Sequence, residues 1–270
     1  MRNMLIVLVI LLALPARAEV CPKDADGMAM GPVQAGFYDG DLALGRRACG
    51  RTEVGLALGA GLIAEPENFY GNIKALADID GSYALDENLE IFGALEVVRY
   101  QTVISSFTDS ALGLGHLSLG AGYALASAED YRLLGHGRVV LPTASGLYQN
   151  MRPLGIDAGV SGAYVLRSDL RLHGSLLLPF SIGLSRAASR PRLGVDLAVG
   201  GAWQPLSWFA FALDINGQFA YAAPVDFIAL RPGLRFAAGD ALGIELGAAI
   251  PLAGRERNLA AVMLRAAWRI

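Results

Sequence analysis

The chain has 270 residues, 22 of them basic and 25 acidic; only 17% are charged, and mean hydropathy is +0.42. So mild an acidity argues against a nucleic-acid binder, which would carry a basic stripe. Beyond the N-terminal leader no stretch stays apolar for the ~18 residues a membrane helix needs, so the oiliness is not that of transmembrane helices.

The leader comes first. Arg2 precedes an unbroken apolar run from Leu5 to Leu14, followed by Pro15 and Ala16-Arg17-Ala18. A basic start, a short apolar core and small residues before the cut predict a secretory signal over residues 1–18. Cutting there removes Arg2 and Arg17 and leaves 20 basic against 25 acidic residues, a net charge of about −5. A lipoprotein reading of Cys21 is weak, because Glu19-Val20 rather than small residues precede it.

Residues 19–50 are rich in Gly and Asp and show no clear period. They hold the two cysteines, Cys21 and Cys49. In an exported chain such a pair predicts a disulfide rather than a metal site. The segment is expected on the periplasmic side, as a plug entering a lumen or a loop beneath one. Asp24-Ala25-Asp26-Gly27 begins like a calcium loop, but the twelfth position is Ala35 where a bidentate Glu belongs. No metal or cofactor is expected.

From Arg51 the period becomes two. Twelve alternating segments lie near 51–62, 73–85, 89–103, 114–127, 131–142, 156–167, 170–183, 192–204, 208–221, 227–238, 242–253 and 259–270. Each reaches the ~9–11 residues of a tilted membrane strand. The connections 65–72, 104–113, 143–155 and 184–191 are long; those at 86–88, 129–130, 168–169, 205–207 and 240–241 are short. Long loops on one side and tight turns on the other are the habit of outer-membrane barrels. The prediction is an all-β fold over 51–270: a transmembrane antiparallel up-and-down β-barrel of about twelve strands, both ends on the short-turn side.

A soluble β protein also alternates, with its apolar face inward. Two features favour the membrane. The polar parity is mostly Gly, Ala and Ser, as at Gly55, Ala57, Gly59 and Gly61, which suits a crowded interior better than a wet surface. Aromatics on the apolar parity gather at strand ends: Tyr83, Tyr123, Tyr131, Tyr164, Trp203, Phe209, Phe236 and Trp268 at the short turns, Phe180 and Tyr221 at the long loops. Such girdles mark headgroup levels. One charge, Arg99, breaks the apolar parity. Two accounts fit it: snorkelling to the headgroups, or a β-bulge at Val97-Val98 that flips the parity and sends Tyr100 outward.

The cleavable leader, the alternating segments and the closing stretch 259–270 (LAAVMLRAAWRI), with apolar residues at alternate positions back from the end, resemble those of bacterial outer-membrane β-barrel proteins. The class usually ends in Phe or Trp; here Ile270 is last and Trp268 stands two before it. Within the class the chain looks most like small transporter-like barrels, including those likened to phenol-degradation pathway porins. The resemblance implies outer-membrane lipids and the barrel-assembly machinery as partners.

The inner parity carries uneven charge. Glu53, Asp78, Asp80, Glu90 and Glu96 form an acidic wall; Arg132, Arg138, Arg167 and Arg171 form one basic group, and Arg231, Arg235, Arg265 and Arg269 a second. In a closed cylinder the acidic wall faces the first group and adjoins the second at the seam. Asp214, Asn216 and Gln218 share one strand's inner face as polar lining. Charge rings set selectivity in pores, so the expected function is passive movement of small polar solutes or ions. The alternatives are a structural or adhesion-type barrel whose charges pair and fill the lumen, or a soluble periplasmic β protein. An enzyme is not expected. His116, His136 and His173 have lumen parity, but no nucleophile elbow or metal spacing accompanies them. His173 and Ser175 stand ~7 Å apart along one strand. The register of the 129–130 turn sets His136 opposite about Gly122, away from His116.

Overall fold

The structure is a computed structural model and describes residues 52–65, 70–86, 88–104, 108–128, 130–143, 153–183, 192–220, 227–239, 241–254 and 258–270. The expected signal at 1–18 and the Cys21–Cys49 pair fall outside the described residues.

Thirteen strands are present among them: β1 (Glu53–Glu65), β2 (Tyr70–Ala84), β3 (Leu89–Ile104), β4 (Thr108–Gly113), β5 (Leu117–Ser127), β6 (Tyr131–Leu141), β7 (Pro153–Arg167), β8 (Leu170–Gly183), β9 (Arg192–Leu206), β10 (Phe209–Ala220), β11 (Phe227–Ala238), β12 (Leu242–Gly254) and β13 (Asn258–Arg269). β4 pairs with the far half of β3 and β5 with its near half, so the two pieces fill one position in the wall. Every other strand pairs antiparallel with its sequence neighbours, and β1 pairs with both β2 and β13. The result is a closed up-and-down barrel of twelve wall positions, which leaves no sheet edge to satisfy.

The fourth wall position corrects the sequence reading. Thr108–Gly113 was expected in a long loop, but it is strand, and so are Tyr70–Asn72 and Pro153–Gly155. Only three residues separate β3 from β4, and four separate β1 from β2. The segment TDSALG has too few apolar residues to show a period; its strand is imposed by pairing along Arg99–Ile104 of β3. The short turns hold as expected. Asp86 builds one of them, its Oδ1 accepting from the backbone N–H groups of Asn88 (2.7 Å) and Leu89 (2.9 Å). This is an Asx turn.

Burial alternates along the strands in the sense opposite to a soluble barrel. Leu56, Leu58, Ile156, Leu172, Leu178, Val199, Leu213, Ile215, Val262 and Leu264 are exposed, while Glu53, Asp78, Glu96, Asp157, Arg231 and Arg265 are buried. The largest apolar patch on a soluble monomer is typically ~300–600 Å²; here apolar side chains cover the outer wall. Only hydrocarbon makes such a surface favourable, so the barrel spans a membrane.

Arg99 is resolved by a bulge. Across β2 and β3, Ala77 pairs with Val98 and Asp78 with Glu96, leaving Val97 unmatched. Beyond it the parity flips: Arg99 is buried, and Val98 and Tyr100 face outward. At the short-turn rim Tyr123, Tyr131, Tyr164, Trp203 and Trp268 are exposed, joined by Trp208, which packs with Phe209 and Phe236 (centroids 5.9 and 6.5 Å). Tyr83 departs from that girdle. It is buried and lines a hollow in the wall beside the paired Gly81 and Gly93.

Candidate solute pathway

The inner parity places charge where solvent scarcely reaches. Among the residues singled out from sequence, Glu53, Asp78, Asp80, Glu90, Glu96, Arg132, Arg138, Arg171, Arg231, Arg235, Arg265, Asp214, Asn216 and Gln218 are all buried and face inward. Arg269 stands half-buried at the short-turn rim. Arg167 is a correction. The register shifts between Val165 and Arg167, and the side chain is turned out of the lumen to Asp169 (Nε–Oδ1 3.0 Å, Nη2–Oδ2 2.9 Å). Trp203 Nε1 donates to the same carboxylate at 3.1 Å. Arg167 and Trp203 together hold the Asp169 carboxyl below its ordinary range.

At the barrel seam, Arg265 of β13 is a hub. It donates to Asp80 of β2 through Nε (3.1 Å) and Nη2 (2.5 Å), to Glu53 of β1 at 2.7 Å, and lies 3.5 Å from Glu245, its register partner on β12. Arg235 approaches Glu245 from β11 at 3.9 Å. The acidic wall thus meets the second basic group where the cylinder closes. Asp80 and Arg265 sit two strands apart, and they meet over Gly55 of β1. A Cβ there would lie 2.5 Å from Asp80 Oδ1 and 2.8 Å from Arg265 Nη2.

The same device recurs across the barrel. His173 of β8 and Asp214 of β10 both pair in register with Gly200 of β9. His173 Nε2 lies 2.5 Å from Asp214 Oδ1 above that glycine, and a Cβ at Gly200 would collide with the Asp214 carboxylate. Between them, β6 and β7 contribute Arg138 and Asp157, register partners joined by Nε–Oδ2 at 2.7 Å.

A third group forms at the bulge and at the break between β4 and β5. Gly115 N–H donates to Glu96 O (3.0 Å), Glu96 N–H to His116 O (3.1 Å), and His116 N–H to Glu96 Oε2 (3.1 Å). Arg99 Nη1 lies 3.7 Å from the same oxygen, so the bulge supplies a counter-charge to a carboxylate with no solvent access. A buried charge that loses its partner is strongly destabilising. His136 faces Gly122, as the turn register predicts.

Sequence reasoning missed Asp196 of β9. It lies on the inner parity between Val195 and Leu197, opposite Gln218, and its alternation was visible. The strand-skipping pairs were not visible, because they need the register of three strands at once.

No family model matches the sequence, and no curated protein matches it. Solved structures do resemble the fold. An outer-membrane channel from Pseudomonas putida F1 superimposes with a TM-score of 0.59 at 12% identity, covering 86% of this chain and 98% of that one. The KdgM porin in complex with disordered oligogalacturonate gives 0.54 at 7% identity, covering 80% and 99%. The translocator domain of the autotransporter NalP from Neisseria meningitidis gives 0.55 at 10%, covering 82% and 88%. At these identities the likeness is one of fold. Closed wall, apolar exterior and charged interior define the class: a transmembrane β-barrel of the bacterial outer-membrane type.

Proposed function

We propose that the barrel is a passive channel for small polar solutes or ions. The observation that carries this reading is the radial inversion, a charged and polar interior inside a hydrocarbon-facing wall. The inner charges can attract and orient polar solutes, as charge rings do in pores. Their tight burial makes the pathway narrow, so the solutes are small. The porin and channel structures that share the fold support this direction; the translocator domain shares it too, and fold alone does not choose between them. The expected leader at 1–18, a Cys21–Cys49 bridge, insertion by assembly machinery through residues 259–270, and a short-turn rim on the periplasmic side belong to the same reading.

A second reading has its own support. Glu96 and Arg231 are 0% and 1% exposed, as in an interior filled by side chains and closed to solutes. Planar-bilayer recording decides between the two. Stepwise conductance is expected of the purified, refolded chain; a silent barrel that still shifts on gels when boiled would establish the non-conducting form.

A further inference from the structure

Arg231 differs from Arg138 and Arg265, whose guanidinium groups are spent on carboxylates. It is 1% exposed, and its Nε, Nη1 and Nη2 have no hydrogen-bond partner among the described residues. Its register partner on β10 is Asp214. Opposite charges therefore stand side by side on paired strands, and no ion pair joins them among the described residues. Asp214 commits Oδ1 to His173 and leaves Oδ2 without a partner among the described residues. Two residues on, Asn216 donates through Nδ2 to Leu197 O at 3.1 Å, and its Oδ1 has no partner among the described residues.

The unspent groups are complementary. On one strand there are only donors, in the planar fork that matches a carboxylate. On the next there are only acceptors, one of them anionic. Adjacent strand positions set these side chains ~5 Å apart at Cβ, the scale of a molecule that carries both charges on neighbouring atoms. The His173 side chain, in contact with Asp214, is 21% accessible, whereas Arg231, Asp214 and Asn216 are buried, so His173 marks the edge from which the cluster is approached.

We propose that Arg231, Asp214 and Asn216 form a subsite for small zwitterions of the α-amino-acid class. The carboxylate lies on Arg231, and the ammonium on Asp214 Oδ2 and Asn216 Oδ1. This rests on the reading of the lumen as a solute pathway and deepens it by naming a solute class. A simple anion leaves both acceptors unspent and meets the Asp214 charge; a simple cation leaves the guanidinium unspent. A site built around buried polar groups rejects a ligand that fails to pair them.

The test uses the full refolded chain in detergent micelles, with calorimetry of glycine and of its two halves, acetate and methylammonium. Glycine is expected to bind about 10-fold or more tightly than either half. Arg231→Lys keeps the charge, loses the fork, and is expected to weaken glycine binding about 10-fold while the barrel stays heat-modifiable. Arg231→Met should abolish the discrimination. If that variant does not fold, the three-probe comparison and the Lys variant decide. Equal binding of the three probes, or Arg231→Lys binding glycine as the parent does, overturns the subsite. A barrel that binds glycine selectively yet never conducts supports the subsite and overturns the channel. A conducting barrel that treats the probes alike overturns the subsite and leaves the channel standing.

Discussion

Asp80 and Arg265 make a two-pronged ion pair, 3.1 Å from Nε to Oδ1 and 2.5 Å from Nη2 to Oδ2, although the whole of β1 runs between their strands. Gly55 makes this possible. Placing Leu at position 55 would drive a side chain into the pair, and Arg265→Met would leave Asp80, Glu53 and Glu245 without their shared cation. Breaking a buried pair by removing one partner costs about 3–5 kcal/mol. Both variants are expected to lose stability on that scale in urea titrations of the micelle-embedded barrel. Losses under about 1 kcal/mol, the scale of an exposed pair, would show that the seam is held by backbone pairing alone.

The membrane partition has a direct test in Val199 and Leu206 of β9, both exposed. Val199 lies mid-strand and Leu206 at the short-turn end. In vesicles Val199→Arg is expected to cost about 2–4 kcal/mol and Leu206→Arg about 0–1, the depth dependence of a lipid-facing Arg. Equal costs at the two depths would remove the hydrocarbon from the outer wall.

Ion selectivity follows from the inner charges. Asp78 and Glu90 are buried on the acidic wall, and neither is held by Arg265. Asp78→Asn with Glu90→Gln is expected to move the reversal potential under a salt gradient toward anions, leaving the seam cluster intact. An unchanged potential would place both groups away from the constriction.

The rim titrates in a defined direction. The Asp169 carboxyl is held down chiefly by Arg167, and Trp203 adds a further hydrogen bond. A depressed folded pKa means that its contribution is present above the unfolded value of ~3.9 and is lost as pH falls through the lower, folded one. Carboxyl NMR should find that midpoint below ~3.9, and Arg167→Ala should raise it. A midpoint at or above the ordinary value in the parent chain would mean that the Arg167–Asp169 contact does not persist in solution.

Period-two alternation was enough to read the twelve wall positions, because lipid outside and charge inside impose opposite chemistry on neighbouring residues. Even the bulge at Val97 was signalled, by an Arg and a Tyr in the wrong order. What escaped had no such contrast. Thr108–Gly113 is strand by pairing rather than by pattern. Arg167 looked inward only if its strand kept step to the last residue, and the shift after Val165 breaks that step. The meetings of His173 with Asp214 and of Asp80 with Arg265 depend on which residue of a third strand lacks a side chain, and this is fixed only once all registers are known.

Gly55 and Gly200 act as windows in the inner lining through which next-nearest strands touch. Substitutions at Asp80 should therefore be compensated at position 265, and those at His173 at position 214, more strongly than at many directly bonded neighbours. Anyone reconstructing strand order from such paired changes would place β2 against β13 and β8 against β10, and would derive a barrel two staves too small.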